Sequence, residues 1–250
     1  MRLFGLIGYP LTHSFSKNYF TEKFKKEGIE DCSYKNFQLA TISDLRRVIE
    51  ENPNLQGLNV TIPYKESVLQ FLNESNELVR QTGACNCIKI ENKRLFGYNT
   101  DVIGFERSLL SKLQSHHTNA LILGTGGAAK AAEFVLHKNG IQYKNVSRQP
   151  STHSLSYDHV TEEAIKKNTL IINTTPVGMF PHTNEIPPLP YHAITPRHFL
   201  FDLIYNPPKT LFLSKGEEYG AIIQNGYDML ICQAEESWKI WNNEFLEFTA

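Results

Sequence analysis

The sequence predicts an α/β protein of two domains with mostly parallel sheets. Two observations lead to this prediction. Strand-like segments alternate with helix-like segments along the whole chain, which is typical of parallel sheets whose strands are joined by helices. At Ala120 an apolar strand, a glycine-rich turn and an alanine-rich helix start the series again, which marks the beginning of a second domain.

The first domain opens with two strand–helix pairs. An apolar strand at 3–8 precedes a helix at 16–28, and an alternating strand at 34–39 precedes a helix at 43–52. Ser43 is the predicted N-cap of this second helix, since a serine hydroxyl can accept a hydrogen bond from a free helix-start amide.

A third strand, a hairpin and a linking helix complete this domain. The strand is predicted at 58–62, where Pro63 ends the alternating pattern. Strands at 87–90 and 94–98 flank Glu91-Asn92-Lys93, which predicts a hairpin. A helix at 102–113 then leads into the second domain.

The second domain continues the same alternation. A strand at 120–123 and an alanine-rich helix that ends at Gly140 precede a strand at 141–147. The polar segment 149–159 has no helical period and is predicted to be irregular. The remaining predicted elements are strands at 170–176 and 198–205 and a helix at 227–248, whose apolar stripe comprises Leu230, Ala234, Trp238, Trp241 and Phe245.

The composition excludes several classes of function. With a formal net charge of −1 over 250 residues, the chain lacks the basic surface that attracts nucleic acids or anionic membranes. The opening MRLFGLIGYP is too short an apolar run for a signal peptide, and no run approaches a membrane span. The four cysteines, at 32, 85, 87 and 232, are not joined by a Cys/His cluster at zinc-ligand spacing. We therefore expect a cytoplasmic protein with reduced thiols, no metal, and no nucleic-acid or membrane partner.

A cofactor signal lies at the start of the second domain. Gly124-Thr125-Gly126-Gly127-Ala128 stands between a strand and a helix, the context that a dinucleotide fingerprint requires. Gly124 permits a tight turn, while Gly126 and Gly127 let backbone amides approach a pyrophosphate at the helix N-terminus. The alternative is a glycine turn with no ligand. The pattern favours a Rossmann-like cofactor domain.

The end of the following strand bears on which nicotinamide cofactor is used. An NAD site normally has Asp or Glu there, but this chain has Ser147-Arg148. An arginine can bind the 2′-phosphate of NADP, and no carboxylate is present at this position to repel the phosphate. NADP is therefore the expected cofactor, although an exposed arginine at a strand end is the alternative.

Three further segments place polar groups at the ends of predicted strands. Ser14 and Ser16 open the first helix, where hydroxyls and free amides suit a carboxylate ligand, or where either serine is simply the N-cap. Asp101 follows the hairpin and either binds a ligand or caps the next helix. Asn86 lies in an otherwise apolar strand and needs a partner if it is buried. Lys65 follows Pro63 at a strand end, where an exposed lysine would be the ordinary outcome.

Taken together, these segments resemble the shikimate dehydrogenase family over nearly the whole chain. The matching blocks are GYPLTHSFS at 8–16, NVTIPYK at 59–65, GACNCI at 83–88, GYNTD at 97–101, GTGGAAK at 124–130, NTTPVGM at 173–179, DLIYNPPKT at 202–210 and NGYDMLICQAE at 225–235. Several such blocks in this order are far more specific than any one of them.

The resemblance implies a fold, an activity and a domain assignment. It implies reversible, NADP-dependent reduction of 3-dehydroshikimate to shikimate, the step that leads toward chorismate and the aromatic amino acids. The substrate domain is expected at 1–101, completed by a C-terminal helix within 227–250 that returns to it. The NADP-binding domain is expected at 102–226.

Residue roles follow from the same resemblance. Lys65 and Asp101 match the catalytic pair. The residues that match substrate-binding positions are Ser14, Ser16, Thr61, Asn86, Tyr205 and Gln233. The residues that match cofactor-binding positions are Gly124, Thr125, Gly126, Gly127, Ala128, Ser147, Arg148, Thr174, Val177 and Gly226.

The chain departs from the family pattern at two places. Arg148 is followed by Gln149-Pro150 and a short polar segment instead of a helix, which weakens the inference of NADP over NAD. Asp228 stands where a second glycine is common in the turn before the last helix. A broader quinate/shikimate dehydrogenase and a non-catalytic nucleotide-binding sensor of the same fold are the alternative functions. A monomer and a homodimer both remain open.

Overall fold

The computed structural model describes residues 1–11, 15–149, 151–152 and 154–244. The chain divides into two compact units, Met1–Thr100 with Gln233–Ala250 and Asp101–Cys232. The divisions fall after Thr100 and Cys232, whereas the expected domain boundaries followed 101 and 226. Which unit holds the substrate and which the cofactor stays a prediction.

The described residues of the first unit form six strands, three complete α-helices and the C-terminal part of a fourth. In chain order its elements are β1 Arg2–Gly8, α1 Phe15–Glu27, β2 Cys32–Gln38, α2 Leu45–Glu51, β3 Leu55–Val60, β4 Glu74–Ser75, α3 Glu77–Thr82, β5 Cys87–Glu91 and β6 Arg94–Tyr98.

The remaining elements belong mainly to the second unit. They are α4 Thr100–Leu110, β7 Asn119–Leu123, α5 Gly127–Lys138, β8 Gln142–Val146, β9 Ser154–Leu155, α6 Glu162–Lys167, β10 Leu170–Asn173, β11 Phe199–Asp202, α7 Leu211–Glu218, β12 Ile222–Gln224 and α8 Tyr227–Trp241. From Gln233 onward α8 belongs to the first unit.

The sheet of the first unit is mixed, in the order β2-β1-β3-β5-β6-β4. β1 runs parallel to β2 and β3, while β5 is antiparallel to β3 and β6. Both faces of β1 are buried. Leu3 and Ile7 pack into one apolar cluster and Phe4 and Leu6 into another, as the alternation of side chains along a strand requires.

The C-terminal helix covers one face of this sheet. Trp241 stacks on Phe4 with ring centroids 4.8 Å apart, and Trp238 meets the same ring edge-on at 5.4 Å. The Trp241 indole N–H donates to the Ile88 carbonyl at 3.0 Å. A Cβ at Gly57 would lie 2.3 Å from the Trp241 ring, so close packing of this helix requires glycine in β3.

The sheet of the second unit is entirely parallel, in the order β12-β11-β10-β7-β8-β9. Its central strands β7, β10 and β11 are buried apolar runs, as expected for strands covered on both faces. Asn173 and Asp202 are paired in register at the ends of β10 and β11. Because parallel strands end at the same edge, these two polar residues lie side by side at the carboxyl edge of the sheet.

The mostly parallel α/β prediction is confirmed, and the hairpin at β5 and β6 is present as expected. Its turn residues Asn92 and Lys93 have φ of 50° and 64°, the left-handed values that a two-residue hairpin turn needs.

Several boundaries were wrong. Ser43 is not an N-cap, because it lies inside a 3-10 turn that Thr41 precedes. Asp44 occupies the N-cap position of α2 without a side-chain hydrogen bond to that helix, and its carboxylate accepts the Thr41 backbone N–H at 3.2 Å in the capping box of the 3-10 turn. β3 begins at Leu55 and ends at Val60, where 58–62 was expected, because Gly57 interrupted the apolar pattern that marks a strand. Helix α4 covers 100–110 and not 102–113.

The last helix ends at Trp241, well before the predicted 248. Asn243 has φ of 60°, and the Glu244 N–H donates to the Lys239 carbonyl at 2.8 Å. This is the Schellman arrangement, in which a left-handed residue closes a helix. Phe245, the last member of the predicted stripe, lies outside the described residues.

The strands predicted at 170–176 and 198–205 also end early, at Asn173 and Asp202, where polar side chains bond to the following backbone. The described residues of the segment 149–159 contain no α-helix, as predicted, but they do contain β9 and a 3-10 turn at Tyr157–His159. Helices α3, α6 and α7 and strands β4 and β12 were not predicted. All three helices carried a signal that was overlooked, since Asn76 caps α3 with its side-chain oxygen, and Thr161 and Thr210 cap α6 and α7 with their hydroxyls.

Candidate functional site

Lys65 lies on the loop that follows β3, and hydrogen bonds to neighbouring segments fix this loop. The Thr61 N–H donates to the Ile7 carbonyl at 2.9 Å, and the Cys85 N–H donates to the Lys65 carbonyl at 2.8 Å. The Tyr64 hydroxyl donates to the Leu39 carbonyl at 2.7 Å, which anchors the middle of the loop. The Lys65 side chain is half-buried at the carboxyl edge of the parallel strands, where ligands of α/β proteins bind.

Asn86 is buried and hydrogen-bonded, as an asparagine in an apolar strand must be. Its Oδ1 accepts the Thr100 backbone N–H at 2.6 Å, and its Nδ2 donates to the Thr100 hydroxyl at 3.0 Å. The same Nδ2 lies 3.4 Å from Oε1 of Gln233 on α8. Two predicted substrate-binding residues, 147 positions apart in the chain, therefore meet in the first unit.

This pair belongs to a larger buried polar network. The Thr100 hydroxyl lies 3.3 Å from that of Ser237, which donates to the Gln233 carbonyl at 2.8 Å. Asn59 donates to the Ser237 hydroxyl at 2.9 Å and accepts from the Tyr34 hydroxyl at 2.8 Å.

Tyr34 and Ser16 form the end of the network. Burial raises the pKa of Tyr34 well above its ordinary value, and a hydrogen bond from Ser16 opposes that shift. Ser16 is buried in α1, after its first residue, so it is not the N-cap. Ser14, the other residue expected to bind a carboxylate, lies outside the described residues. The network residues Tyr34, Asn59, Thr100 and Ser237 were missed by sequence reasoning, although the buried setting of Asn59 in NVTIP was a usable signal.

The glycine turn of the second unit has the geometry that a dinucleotide needs. Gly124 has φ of 117°, which only glycine adopts readily, and a Cβ there would lie 2.5 Å from the Thr174 hydroxyl. A Cβ at Gly126, the N-cap of α5, would meet nothing within 4 Å. That open space above the N-terminus of a 12-residue helix fits a pyrophosphate, which free amides and the helix dipole both favour. Thr125 and Ala128 flank this space.

Asp202 organises the neighbouring loops from inside the unit. Its carboxylate accepts from Asn173 Nδ2 at 3.0 Å, from the Ile204 N–H at 3.1 Å and from the Thr210 hydroxyl at 2.5 Å. Burial raises the pKa of Asp202 to about 6, against the effect of these three donors. Asn173 in turn accepts from the Thr175 hydroxyl at 2.7 Å.

These bonds fix two segments that carry predicted site residues. Thr174 and Val177 lie on the turn after β10, where the Thr174 hydroxyl donates to the Leu123 carbonyl at 2.7 Å and Asn173 Nδ2 lies 3.4 Å from the Val177 carbonyl. Tyr205 follows Ile204 and is half-buried, and burial raises its pKa. Asp202 itself was not among the predicted site residues.

Gly226 is held against the same segment. Its N–H donates to the Ile204 carbonyl at 3.1 Å, and a Cβ would lie 2.0 Å from the Leu203 carbonyl oxygen, so no other residue fits. Asp228, the departure from the family pattern, is exposed in the first turn of α8, where a carboxylate interacts favourably with the helix dipole.

Ser147 and Arg148 follow β8. The Ser147 N–H donates to the Leu155 carbonyl at 2.8 Å, and its hydroxyl accepts the Gln149 N–H at 3.2 Å. Arg148 is exposed, and its positive charge lowers the pKa of Tyr157, which burial raises on balance.

Lys65, Thr61, Asn86, Gln233 and Ser16 thus all belong to the first unit, where the buried network links Asn86 with Gln233 and, through Asn59 and Tyr34, with Ser16. Asp101, Tyr205 and the predicted cofactor-binding residues lie in the second unit, with Asp101 next to Thr100 in the chain. Within the described residues, no cluster of three or more His, Cys, Asp or Glu side chains could hold a metal ion. None of the described helices has the length and apolar character to cross a membrane.

The parallel sheet, the glycine with positive φ at the turn and the open helix start place this chain in the class of dinucleotide-binding α/β proteins. The sequence model described as the shikimate dehydrogenase substrate binding domain matches residues 6–88. The NADP(+) shikimate dehydrogenase of Caldicellulosiruptor saccharolyticus is 37% identical and covers 96% of this chain and 92% of its own length. That of Methanococcus maripaludis is 36% identical and covers 97% and 92%.

A solved structure extends the similarity to three dimensions. Shikimate 5-dehydrogenase from Thermus thermophilus, crystallised in complex with NADP(H) and shikimate, superposes with a TM-score of 0.86 at 28% identity. It covers 97% of this chain and 94% of its own. The chain belongs to the shikimate dehydrogenase family.

Proposed function

We propose that this protein is an NADP-dependent oxidoreductase that interconverts 3-dehydroshikimate and shikimate. The observation that carries the proposal is the pairing of two sites within one chain of this family. One is the group of polar side chains in the first unit that includes Lys65, Asn86 and Gln233. The other is a glycine turn with an open helix start in the second.

The glycine turn would hold the pyrophosphate of NADP, and Arg148 the 2′-phosphate. When bound, NADP supplies or accepts the hydride at the substrate carbon. This chain's residues then bind and orient the substrate and move the proton.

Lys65 acts on the substrate oxygen that gains negative charge when the carbonyl carbon is reduced. Its ammonium stabilises that charge and donates a proton from Nζ to the oxygen. In the reverse direction the neutral amine accepts the proton from the hydroxyl. Asp101 is the proposed partner that orients the Lys65 amine and hydrogen-bonds the substrate hydroxyls.

The remaining residues position the ring. Asn86 and Gln233 are proposed to bind substrate hydroxyls through amide groups already fixed by Thr100 and by each other. Thr61 supplies a further hydroxyl, with Tyr205 from the second unit. Ser14 and Ser16 are proposed to bind the carboxylate.

We place the activity in the cytoplasm, with the protein acting as a monomer or a homodimer. Light scattering coupled to size exclusion would decide between these two states. Neither alternative changes the residues assigned above.

A spectrophotometric assay of shikimate and quinate, each with NADP and with NAD, tests the proposal directly. We expect the highest kcat/KM for shikimate with NADP. Faster turnover of quinate would reassign the enzyme to the broader quinate/shikimate group, and absence of turnover with all four pairs would support a sensor.

Lys65→Ala tests the assigned proton donor. We expect turnover to fall by about two decades or more, the size typical of a positioned acid–base group, with a much smaller change in substrate affinity. Lys35→Ala, at an exposed lysine of the same unit, is the matched control. Near wild-type turnover in the Lys65 variant would remove this residue from the mechanism.

A further inference from the structure

The second unit contains a cleft of about 840 Å³ next to the glycine turn. Thr125 and Lys130 line it from the turn and the first part of α5, and Ser151 and Ser154 line it from the segment after Arg148. The cleft therefore extends from Thr125 of the glycine turn to Ser151 and Ser154, in the segment that follows Arg148.

The segment after β8 has little positive charge with which to bind a 2′-phosphate. Arg148 is the only Lys or Arg between Lys144 and Lys166 in the sequence. A phosphate monoester carries about 1.5 to 2 negative charges at neutral pH, so Arg148 by itself leaves about 0.5 to 1 of these charges without a cation. A second cation must come from another element if the site is to hold the phosphate strongly.

Lys130 lies where it can supply this second positive charge. Lys130 lies half-buried near the start of α5, where its backbone N–H donates to the Gly126 carbonyl at 3.2 Å. Three residues beyond Gly127, the first residue of α5, it is about 4.5 Å further along the helix axis. Lys144, the nearest lysine on β8, is not among the residues that line the cleft.

The carboxylate in the same cleft is already engaged. Glu133 is one turn further along α5 than Lys130 and accepts from Asn145 Nδ2 at 2.6 Å. This hydrogen bond holds the Glu133 carboxylate toward β8. Lys130 is therefore nearer than Glu133 to the glycine turn along the axis of α5.

We propose that Lys130 is a specificity residue, the second cation for the 2′-phosphate, and that it favours NADP over NAD together with Arg148. This inference rests on the proposed function, because it assumes that a nicotinamide dinucleotide binds at the glycine turn. Lysine binds phosphate as a point charge, so Lys130→Arg preserves the contact and Lys130→Gln abolishes it.

The test is calorimetric binding of NADP, NAD and adenosine 2′,5′-bisphosphate to the full-length protein without substrate. The variants are Lys130→Gln, Lys130→Arg and Arg148→Ala, with Lys138→Gln as the matched control at the exposed end of the same helix. We expect Lys130→Gln to weaken NADP and the bisphosphate by about 10-fold and NAD by less than about 2-fold. Lys130→Arg and Lys138→Gln should stay close to the wild type.

The outcomes separate this inference from the function on which it rests. If Arg148→Ala weakens NADP selectively but Lys130→Gln behaves like Lys138→Gln, Lys130 plays no part in specificity and only this inference is overturned. Equal losses for NADP and NAD in Lys130→Gln would also overturn it. If the wild type binds neither dinucleotide, the proposed function fails and this inference fails with it.

Discussion

The two units bury different kinds of polar group. The first unit buries a neutral network that joins Tyr34, Asn59, Ser237, Thr100, Asn86 and Gln233. The second buries a carboxylate, Asp202, beneath three donors. A neutral network needs only matched donors and acceptors, whereas a buried carboxylate also loses hydration when it ionises.

The units differ as well in how they are assembled from the chain. The first unit needs residues from both ends of the sequence, since Trp238 and Trp241 cover the face of β1 that bears Phe4. The second unit is one continuous segment with an all-parallel sheet. We conclude that the first unit depends on its C-terminal helix and the second on the chemistry of its strand ends.

The largest expected effect comes from removing the C-terminal anchor. Trp241→Ala deletes a buried ring that stacks on Phe4 and fills the space above Gly57. Such truncations cost about 3–5 kcal/mol of unfolding free energy. Denaturant unfolding measures this loss, and Leu110→Ala, at an exposed position, is the control. A loss below about 1 kcal/mol would mean that the first unit folds without this helix.

Asp202 should make the stability of the protein depend on pH. Its pKa is raised by burial from 3.8 to about 6 in the folded state, so between these values the folded state binds more protons than the unfolded state. Its contribution to stability is therefore present at low pH and falls as pH rises from about 4 to 6. This shift in the pKa of Asp202 corresponds to a change of about 3 kcal/mol in unfolding free energy across that pH range.

Comparing the wild type with Asp202→Asn isolates that contribution. Unfolding free energies measured from pH 4 to 7 should show the wild type losing stability relative to the variant as pH rises. Asp158→Asn, at an exposed aspartate of the same unit, should show no such trend. A constant difference between the wild type and Asp202→Asn would show that Asp202 has an ordinary pKa.

Arg148→Ala sharpens the assignment of the cofactor to the second unit. Loss of a charge-assisted hydrogen bond costs about 1.5–3 kcal/mol, which is about 10- to 150-fold in affinity. That loss should fall on NADP and spare NAD, with shikimate affinity unchanged. Binding titrations measure it, with Arg197→Ala as the exposed control. Equal weakening of both cofactors would make Arg148 structural.

The smallest expected effect is that of Gln233→Ala in the neutral network. The bond from Asn86 to Gln233 is long at 3.4 Å, so its loss should cost little stability. The Michaelis constant for shikimate should rise by about 2- to 12-fold, the value of one neutral hydrogen bond, while NADP binding stays intact. Gln70→Ala, exposed in the same unit, is the control. An unchanged Michaelis constant would remove Gln233 from the substrate site.

The sequence by itself determined the elements whose signals are local. The strand, glycine turn and helix around Gly124 and the hairpin turn at Asn92 and Lys93 are decided within a few residues, because φ preferences and apolar periodicity act over that range. The family of the chain could be read from the order of its motifs. The end of α8 at Trp241 was missed, because asparagine marks a left-handed cap less distinctly than glycine does.

Only the tertiary structure decided which polar residues meet. Asn86 and Gln233 are 147 residues apart, and Asn59 reaches Ser237 across 178. No local pattern encodes such pairings, since they depend on where a helix packs after the chain has folded back. Asp202 reads in sequence as one polar residue inside an apolar strand. Its raised pKa comes from burial, and the three donors that hold it lie two, eight and twenty-nine positions away in the chain.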